Sequence, residues 1–168
     1  MIDNQIVIVL VEDDDDEQAL ALRALARAGV TNQVVVLEDG VAALEFFERI
    51  GQPEAARVGT AYVVLLDLKL PRVGGLEVLR RLRRNPATRR LPVIVLTSSD
   101  EERDLIESYD LGANSYIRKP VDFAQFSEMI RHLGYYWLAL NHPPPLGQDS
   151  EELAADGLPS AQRPSDDG

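Results

Sequence analysis

The sequence predicts an α/β fold, a doubly wound (βα)5 arrangement around a five-stranded parallel sheet. Two observations support this fold class. Short apolar runs with many β-branched residues, typical of buried parallel strands, occur five times along the chain. Each run is followed by a segment with apolar residues at helical spacing, and this alternation is typical of a sheet covered on both faces. Short, right-handed connections then favour the strand order 2-1-3-4-5.

The first two strand–helix units lie in the amino-terminal third of the chain. The first predicted strand, residues 5–11, has the sequence QIVIVLV. Acidic residues 13–17 then begin a helix, because the helix dipole favours negative charge there, and we expect residues 14–17 to be solvated. Gly29 ends this helix, and residues 34–37 form the second strand. The second helix begins at Gly40 and has four apolar residues on one face: Ala43, Leu44, Phe47 and Ile50.

Three further strand–helix units follow a polar loop at residues 51–60. The predicted strands are residues 61–66, 92–96 and 115–117. The third helix is marked by a leucine repeat, Leu76, Leu79 and Leu82. Asn85-Pro86 ends it, since the residue before a proline disfavours helical geometry. The last two helices are predicted at residues 100–111, before Gly112, and 122–140.

Composition limits the functions that the chain can have. The formal net charge of −11 argues against general nucleic-acid binding, which requires basic surface. The chain has no cysteine, so it has no disulfide or thiolate metal site and suits the reducing cytosol. No apolar run reaches the roughly 18 residues of a membrane span, and the first residues lack the basic start of a signal peptide. We therefore expect a cytoplasmic protein that binds neither membrane nor nucleic acid.

The chain is predicted to divide after residue 140. Residues 1–140 contain the predicted sheet and helices and are expected to form one domain. The three prolines that follow His142 cannot continue a helix and favour extended geometry. Residues 147–168 contain six acidic residues and one arginine, with few large apolar groups. We therefore expect residues 141–168 to be a proline-rich arm and an acidic, mostly disordered tail.

Four charged residues stand at the carboxyl ends of predicted strands. Glu12 and Asp13 follow the first strand, Asp67 follows the third and Lys119 follows the fifth. Ligands of open α/β sheets bind outside the carboxyl ends of the strands, so we expect these side chains to meet. Three carboxylates suit Mg²⁺, which prefers oxygen ligands and phosphate. Asp67 can then act as a nucleophile toward a phosphoryl group, with Lys119 and the hydroxyl of Thr97 on the phosphoryl oxygens.

These segments resemble the receiver domains of response regulators, which have the CheY-like fold of two-component signalling. The acid pair lies in VLVEDD, and Asp67 lies in LLDLKLPRVGGLEVL. Thr97 lies in VLTSSD, while Tyr116 and Lys119-Pro120 lie in GANSYIRKP. The resemblance covers about residues 5–140, and these motifs occur in the family's order.

The resemblance implies a site and a mechanism. Asp67 would accept a phosphoryl group from a histidine kinase, with Thr97 and Lys119 completing the phosphorylation site. Thr97 and Tyr116 would be the switch residues, output would pass through contacts with an unknown downstream protein, and the Lys119–Pro120 peptide would be cis. The implied ligands of Mg²⁺ are Asp13, Asp67, the backbone carbonyl of Lys69 and, through water, Glu12.

Less specific segments resemble one group within the family. The VED start, the EDGVAALEFF segment at residues 38–47, the long loop and the YYWLALNHPPP ending resemble single-domain regulators paired with phytochrome-type histidine kinases. Such a protein would catalyse only its own phosphorylation and dephosphorylation at Asp67. Two alternatives stay open. One is an aspartate-nucleophile phosphatase, although Lys69 stands where those enzymes usually carry a second Asp. The other is a pseudo-receiver scaffold that works without phosphorylation.

The last predicted helix favours self-association. At 1.5 Å per residue, its roughly 19 residues span about 28 Å, whereas a five-residue strand covers only about 17 Å. Its final turns, with Tyr135, Tyr136 and Trp137, are therefore expected to extend beyond the sheet, and aromatic residues are enriched at interfaces. We expect a homodimer through helix 4, strand 5 and helix 5, with the proline-rich arm leaving the domain to clasp the second subunit. The apolar stripe of the helix comprises Phe123, Phe126, Ile130, Leu133, Trp137 and Leu140.

Overall fold

Five strands and five helices alternate along residues 5–55 and 59–146, the part of the chain that the computed structural model describes. The strands are β1 (Gln5–Val11), β2 (Val34–Leu37), β3 (Thr60–Leu66), β4 (Val93–Thr97) and β5 (Ser115–Arg118). The helices are α1 (Asp15–Arg27), α2 (Gly40–Ile50), α3 (Gly75–Arg84), α4 (Glu102–Asp110) and α5 (Phe123–Gly134). Within these ranges no helix is both long and apolar enough to cross a bilayer.

The strands form one parallel sheet in the order β2-β1-β3-β4-β5, which confirms the predicted fold class and strand order. Val11 at the end of β1 pairs with Leu37 at the end of β2 and with Leu66 at the end of β3. Thr97 of β4 pairs with Arg118 of β5. Because the strands are parallel, all their carboxyl ends lie at one edge of the sheet, where ligands bind in this class of fold.

Two apolar layers cover the sheet. Helices α1 and α5 pack on one face, and α2 and α3 pack on the other. Successive residues of β1 point to opposite faces, so Ile8 and Leu10 belong to the first layer and Val9 and Val11 to the second. The strand is buried on both sides, and its end provides a fixed support for the residues that follow.

Two glycines allow the loop between β3 and α3 to lie close to the sheet edge. A Cβ atom on Gly75 would lie 2.2 Å from the carbonyl oxygen of Asp67. A Cβ atom on Gly40 would lie 1.9 Å from the carbonyl oxygen of Val73. Real Cβ atoms do not approach oxygens so closely, so the backbone after Asp67 has its position only because both residues lack side chains.

The carboxyl-terminal helix differs from the single helix that the sequence predicts. The α-helix ends at Gly134, and a π-helical segment, Tyr135–Leu140, follows it. Tyr135 and Tyr136 are 62% and 51% exposed, as expected for side chains beyond the sheet. Trp137 instead packs against the layer formed by α1 and α5, so the prediction that it extends beyond the sheet is wrong. The wider π turn changes the direction of the following side chains, which an uninterrupted helical pattern does not predict.

The proline-rich arm does not leave the domain over its described part, so this element of the prediction is wrong. Leu146 packs against the layer formed by α2 and α3. The hydrophobic effect favours this position, because apolar side chains of the arm are removed from water when they cover the apolar turn after α3. The predicted disordered tail, residues 147–168, lies outside the described residues. The arm and this turn line a common groove formed by Pro86, Ala87, Arg90, Leu91, Pro144, Pro145 and Leu146.

Candidate functional site

The carboxyl edge of the sheet brings together the charged residues that follow the strands. Two backbone hydrogen bonds continue the strand pairing past the strand ends. Asp67 N donates to Val11 O at 3.1 Å, and Lys119 N donates to Thr97 O at 2.8 Å. These bonds fix the backbone from which the side chains project. The residues that meet here, as the sequence predicts, are Glu12, Asp13, Asp67 and Lys119.

Three carboxylates form a cluster of oxygen atoms. One oxygen from each of Glu12, Asp13 and Asp67 lies within 4.8 Å of the other two. Glu12 and Asp67 are buried, whereas Asp13 is exposed. The backbone amides of Asp14 and Lys69 donate to Glu12 Oε1 and Asp67 Oδ1, each at 3.2 Å, and thereby orient the two buried carboxylates.

This donor set fits a hard divalent cation. All three oxygens are carboxylate oxygens, the ligands that Mg²⁺ prefers in proteins. Mg²⁺ usually keeps several waters and takes one or two carboxylates plus a phosphate. The exposed position of Asp13 leaves one side of the cluster accessible to water and to a phosphoryl group. The carbonyl of Lys69 as a further ligand stays a prediction.

Lys119 is the cation of this cluster. Its Nζ atom lies 2.5 Å from Glu12 Oε2 and 3.0 Å from Asp67 Oδ2, and it also contacts the carboxylate of Glu17. Only 9% of the side chain is exposed. The Lys119–Pro120 peptide is trans, so the predicted cis peptide is wrong. The trans form is the one that peptides before proline favour, by about 0.5–1 kcal/mol.

Glu17 belongs to the cluster, although the sequence predicts a solvated helix start for residues 14–17. The prediction holds for Asp15 and Asp16, which are exposed. Asp14 caps the helix, because its Oδ1 accepts a hydrogen bond from Glu17 N at 2.9 Å. The first turn of α1 lies beside the end of β1, and the side chain of Glu17 reaches Lys119 from there. No local pattern in the sequence distinguishes Glu17 from the other acids of this run.

Burial and neighbouring charges distribute the protons of the cluster unequally. Burial raises the pKa of Glu12 to about 8, which outweighs the effect of Lys119 beside it. Burial alone would raise the pKa of Asp67, but the charge and hydrogen bond of Lys119 hold it below its usual value. Burial alone would lower the pKa of Lys119, but hydrogen bonds to Glu12 and Glu17 raise it. Without metal, Glu12 is therefore the buried acid of the cluster that favours its protonated form, while Asp67 and Lys119 favour their charged forms.

Thr97 and Tyr116 are joined through Ser99. Thr97 is fully buried, and its Oγ1 accepts a hydrogen bond from Ser99 N at 3.3 Å. The contact of the Thr97 hydroxyl with phosphoryl oxygens stays a prediction. The Tyr116 hydroxyl donates to Ser99 O at 3.2 Å. Ser99 Oγ donates to Asp104 Oδ2 at 2.6 Å and so connects the end of β4 to α4. No local sequence pattern indicates this Ser99–Asp104 pair.

Without metal, the free energy of unfolding should fall as the pH rises from about 5 to 8. Folded Glu12 has a pKa of about 8 against an ordinary value of 4.5, so the folded state keeps a proton that the unfolded chain releases in this window. Each unit of pH increase in this window then lowers the free energy of unfolding by up to about 1.4 kcal/mol. Glu12→Gln should flatten the slope, and the exposed control Asp16→Asn should retain it. Urea denaturation with a chelator, repeated across this pH range, measures the free energy of unfolding of the wild type and both variants. An unchanged slope in Glu12→Gln would contradict the raised pKa of Glu12.

Comparison with known sequences indicates one protein family. Residues 8–131 match the family model of the response regulator receiver domain. Response regulator Rcp1 of Synechocystis sp. is 36% identical over 132 residues, which make up 79% of this chain and 88% of Rcp1. The family match includes the second half of β1, all of β2 to β5 and the residues of the cluster.

Solved structures similar to this chain include phytochrome response regulators. The phosphorylated cyanobacterial phytochrome response regulator RcpA is 35% identical, with 82% of this chain and 97% of RcpA covered and a TM-score of 0.74. The Mn²⁺-bound form of Rcp1 is 34% identical, with 82% and 98% covered and a TM-score of 0.72. The bacteriophytochrome response regulator RtBRR is 49% identical, with 84% of each chain covered and a TM-score of 0.62. The chain therefore belongs to the receiver domains of response regulators, the signalling modules of two-component systems.

Proposed function

We propose that this chain is a response regulator that accepts a phosphoryl group on Asp67 from a histidine kinase. The geometry around Asp67 carries the proposal. Its Oδ2 atom lies 3.0 Å from the Lys119 amine, and one of its oxygens lies within 4.8 Å of oxygens of Glu12 and Asp13. Phosphoryl transfer depends mostly on positioning and electrostatics, so a charged oxygen beside a fixed ammonium and a cation site is suited to it.

The transfer forms a bond between phosphorus and a carboxylate oxygen of Asp67. The P–N bond of the kinase phosphohistidine breaks, and the released imidazole keeps its electron pair and takes up a proton. The lowered pKa of Asp67 keeps its carboxylate ionised for this step. Lys119 contacts the transferred oxygens. Asp13, Asp67, the Lys69 carbonyl and, through water, Glu12 would hold Mg²⁺, which when bound supplies further positive charge to these oxygens.

The signal then passes from the phosphoryl group to the surface of α4, β5 and α5. Phosphorylation adds about −1.5 to −2 charge at Asp67. We infer that this charge draws the Thr97 hydroxyl toward it and away from Ser99, which also bonds to Tyr116 and Asp104. A change at Ser99 therefore reaches α4 and β5 together, and output to a downstream protein passes through this surface.

Asp67→Asn should abolish phosphorylation, because the amide oxygen is neutral and a poor nucleophile. Acetyl phosphate with Mg²⁺ should add one phosphoryl group to the wild-type chain and none to the variant. Asp100→Asn is the matched control, since Asp100 is an exposed acid in the nearby loop between β4 and α4, and it should be labelled fully. Intact-mass spectrometry measures the labelling. Full labelling of Asp67→Asn would refute the proposed acceptor.

Asp13→Asn should weaken Mg²⁺ binding about tenfold or more, a loss typical of damage to a metal site. Mg²⁺ stabilises the folded state by binding to it, so the rise in melting temperature with Mg²⁺ reports its affinity. Asp15→Asn makes the same charge change two residues away, at an exposed position in the first turn of α1, and should have little effect. Equal losses in the two variants would show that Asp13 has no specific role.

A phytochrome-type histidine kinase of the cytoplasm is the proposed phosphoryl donor. RcpA and RtBRR, which support this proposal, are phytochrome response regulators, and RtBRR is 49% identical to this chain. Transfer from a phosphorylated bacteriophytochrome kinase should be at least about tenfold faster than from an unrelated histidine kinase, equivalent to about 1.4 kcal/mol of discrimination. Rapid-quench measurement of the phosphorylated kinase tests this, and equal rates would exclude the pairing.

We also propose a homodimer through α4, β5 and α5. In the sheet, β5 is an edge strand beside α4. Ile106 and Tyr109 of α4 are 54% and 51% exposed, and Leu105 is also exposed. Exposed apolar side chains next to a sheet edge are typical of an interface. The described part of the arm packs on its own domain and has no part in this proposal.

Ile106→Glu should convert a dimer of the full chain to a monomer, because it places a charge in the proposed apolar contact. Leu22→Glu is the matched control, since Leu22 is an exposed leucine on α1, outside the proposed surface. It should leave the dimer intact. Light scattering at micromolar concentration, with and without phosphorylation, measures the mass. A monomeric wild-type chain, or a dimer that survives Ile106→Glu, would rule out this interface.

A further inference from the structure

One carboxylate in contact with Lys119 has no part in the proposed phosphoryl transfer. Asp67 is the proposed acceptor, and Glu12 belongs to the metal cluster, whereas Glu17 comes from the first turn of α1. The side chain of Glu17 is 40% exposed, while those of Glu12 and Asp67 are 4% and 7% exposed. The amine of Lys119 thus has two buried partners and one partner that reaches solvent.

We propose that Glu17 is a positioning residue that holds the Lys119 amine in the unphosphorylated chain and releases it when Asp67 is phosphorylated. Glu17 thereby competes with the phosphoryl group for Lys119 and limits how tightly the site retains that group. This inference rests on the proposed function of Asp67.

The capacity of the ammonium group requires such an exchange. An ammonium has three N–H donors, and Lys119 has three acidic side chains as partners. A phosphoryl group on Asp67 brings several anionic oxygens next to the amine. The donor that now bonds to Asp67 Oδ2 can serve one of them, and Lys119 can bond to a second only if it releases Glu12 or Glu17. Releasing the buried Glu12 would leave a buried polar group without its hydrogen bond. Glu17 can turn toward water at little cost, so Glu17 is the partner that is exchanged.

Hydrogen bonds at the start of α1 fix the backbone position of Glu17. Asp14 Oδ1 accepts a hydrogen bond from Glu17 N at 2.9 Å. Gln18 Nε2 donates to Glu12 O at 2.6 Å and ties the start of α1 to the end of β1. The first turn therefore has a defined position relative to Lys119, and only the carboxylate of Glu17 has to move.

Glu17→Gln should raise the affinity for beryllofluoride, a phosphoryl mimic that binds aspartate with Mg²⁺, by about three- to tenfold, since a neutral amide competes less strongly for the ammonium. Asp16→Asn is the matched control. It removes the same charge from the neighbouring exposed residue, and no ion pair to Lys119 is present for Asp16 in the described chain. It should change the affinity less than about twofold. High salt should screen any change in beryllofluoride affinity caused by Asp16→Asn, and it should leave most of the change caused by Glu17→Gln.

A second readout needs neither metal nor phosphoryl mimic. The chain contains only two lysines, Lys69 and Lys119. Lysine-selective ¹⁵N NMR of the full, metal-free chain therefore gives two amine signals, and the exposed Lys69 serves as an internal reference. Hydrogen exchange at the Lys119 amine should be slow in the wild type, several-fold faster in Glu17→Gln, and unchanged in Asp16→Asn.

The possible outcomes separate this inference from the proposed function. Tighter beryllofluoride binding and faster amine exchange in Glu17→Gln, but not in Asp16→Asn, would support the role of Glu17. Equal affinities and equal exchange in the two variants, in a chain that does bind beryllofluoride, would overturn this role alone. A wild-type chain that binds no beryllofluoride would refute the proposed function and this inference with it.

Discussion

The hydrogen-bonded ion cluster around the Lys119 amine is the interaction on which the rest of the site depends. Charged groups are tolerated in a buried position only when they are paired and hydrogen-bonded. Lys119 meets this requirement with Glu12 and Asp67, which come from two other strands. The cluster therefore forms only when β1, β3 and β5 end at the same edge, and the order and register of the sheet provide that arrangement.

The same arrangement explains how the site can change state. Four acids and one ammonium leave excess negative charge, and the raised pKa of Glu12 reduces it in the metal-free chain. A divalent cation and a phosphoryl group bound at the cluster would replace a proton on Glu12 with the positive charge of the cation and the negative charges of the phosphoryl oxygens. The backbone amide of Lys119 donates to Thr97 O, and Thr97 Oγ1 accepts from Ser99 N. The residue that carries the amine is therefore linked through Thr97 to the residues that lead to α4.

Most of the fold and the centre of the site could be predicted from the sequence. Buried parallel strands appear as apolar runs, and the residues after those runs must share one edge, so Glu12, Asp13, Asp67 and Lys119 could be placed together. The rest depends on tertiary contacts. Glu17 lies in an acidic run that local rules assign to the helix dipole, and only the direction of its side chain distinguishes it from Asp16. The π turn at Tyr135 and the packing of Leu146 on its own domain likewise have no local signal.

A crystal structure of the full chain with Mg²⁺ and beryllofluoride tests the central claim most directly. We expect beryllium bound to a carboxylate oxygen of Asp67 and the Lys119 amine within about 3 Å of a fluoride, the distance of a charge-assisted hydrogen bond. The Thr97 hydroxyl should contact another fluoride, and the carboxylate of Glu17 should have left Lys119. Beryllofluoride bound elsewhere, or bound to Asp67 with the Lys119 amine out of reach of it, would contradict the role of this cluster in phosphoryl transfer.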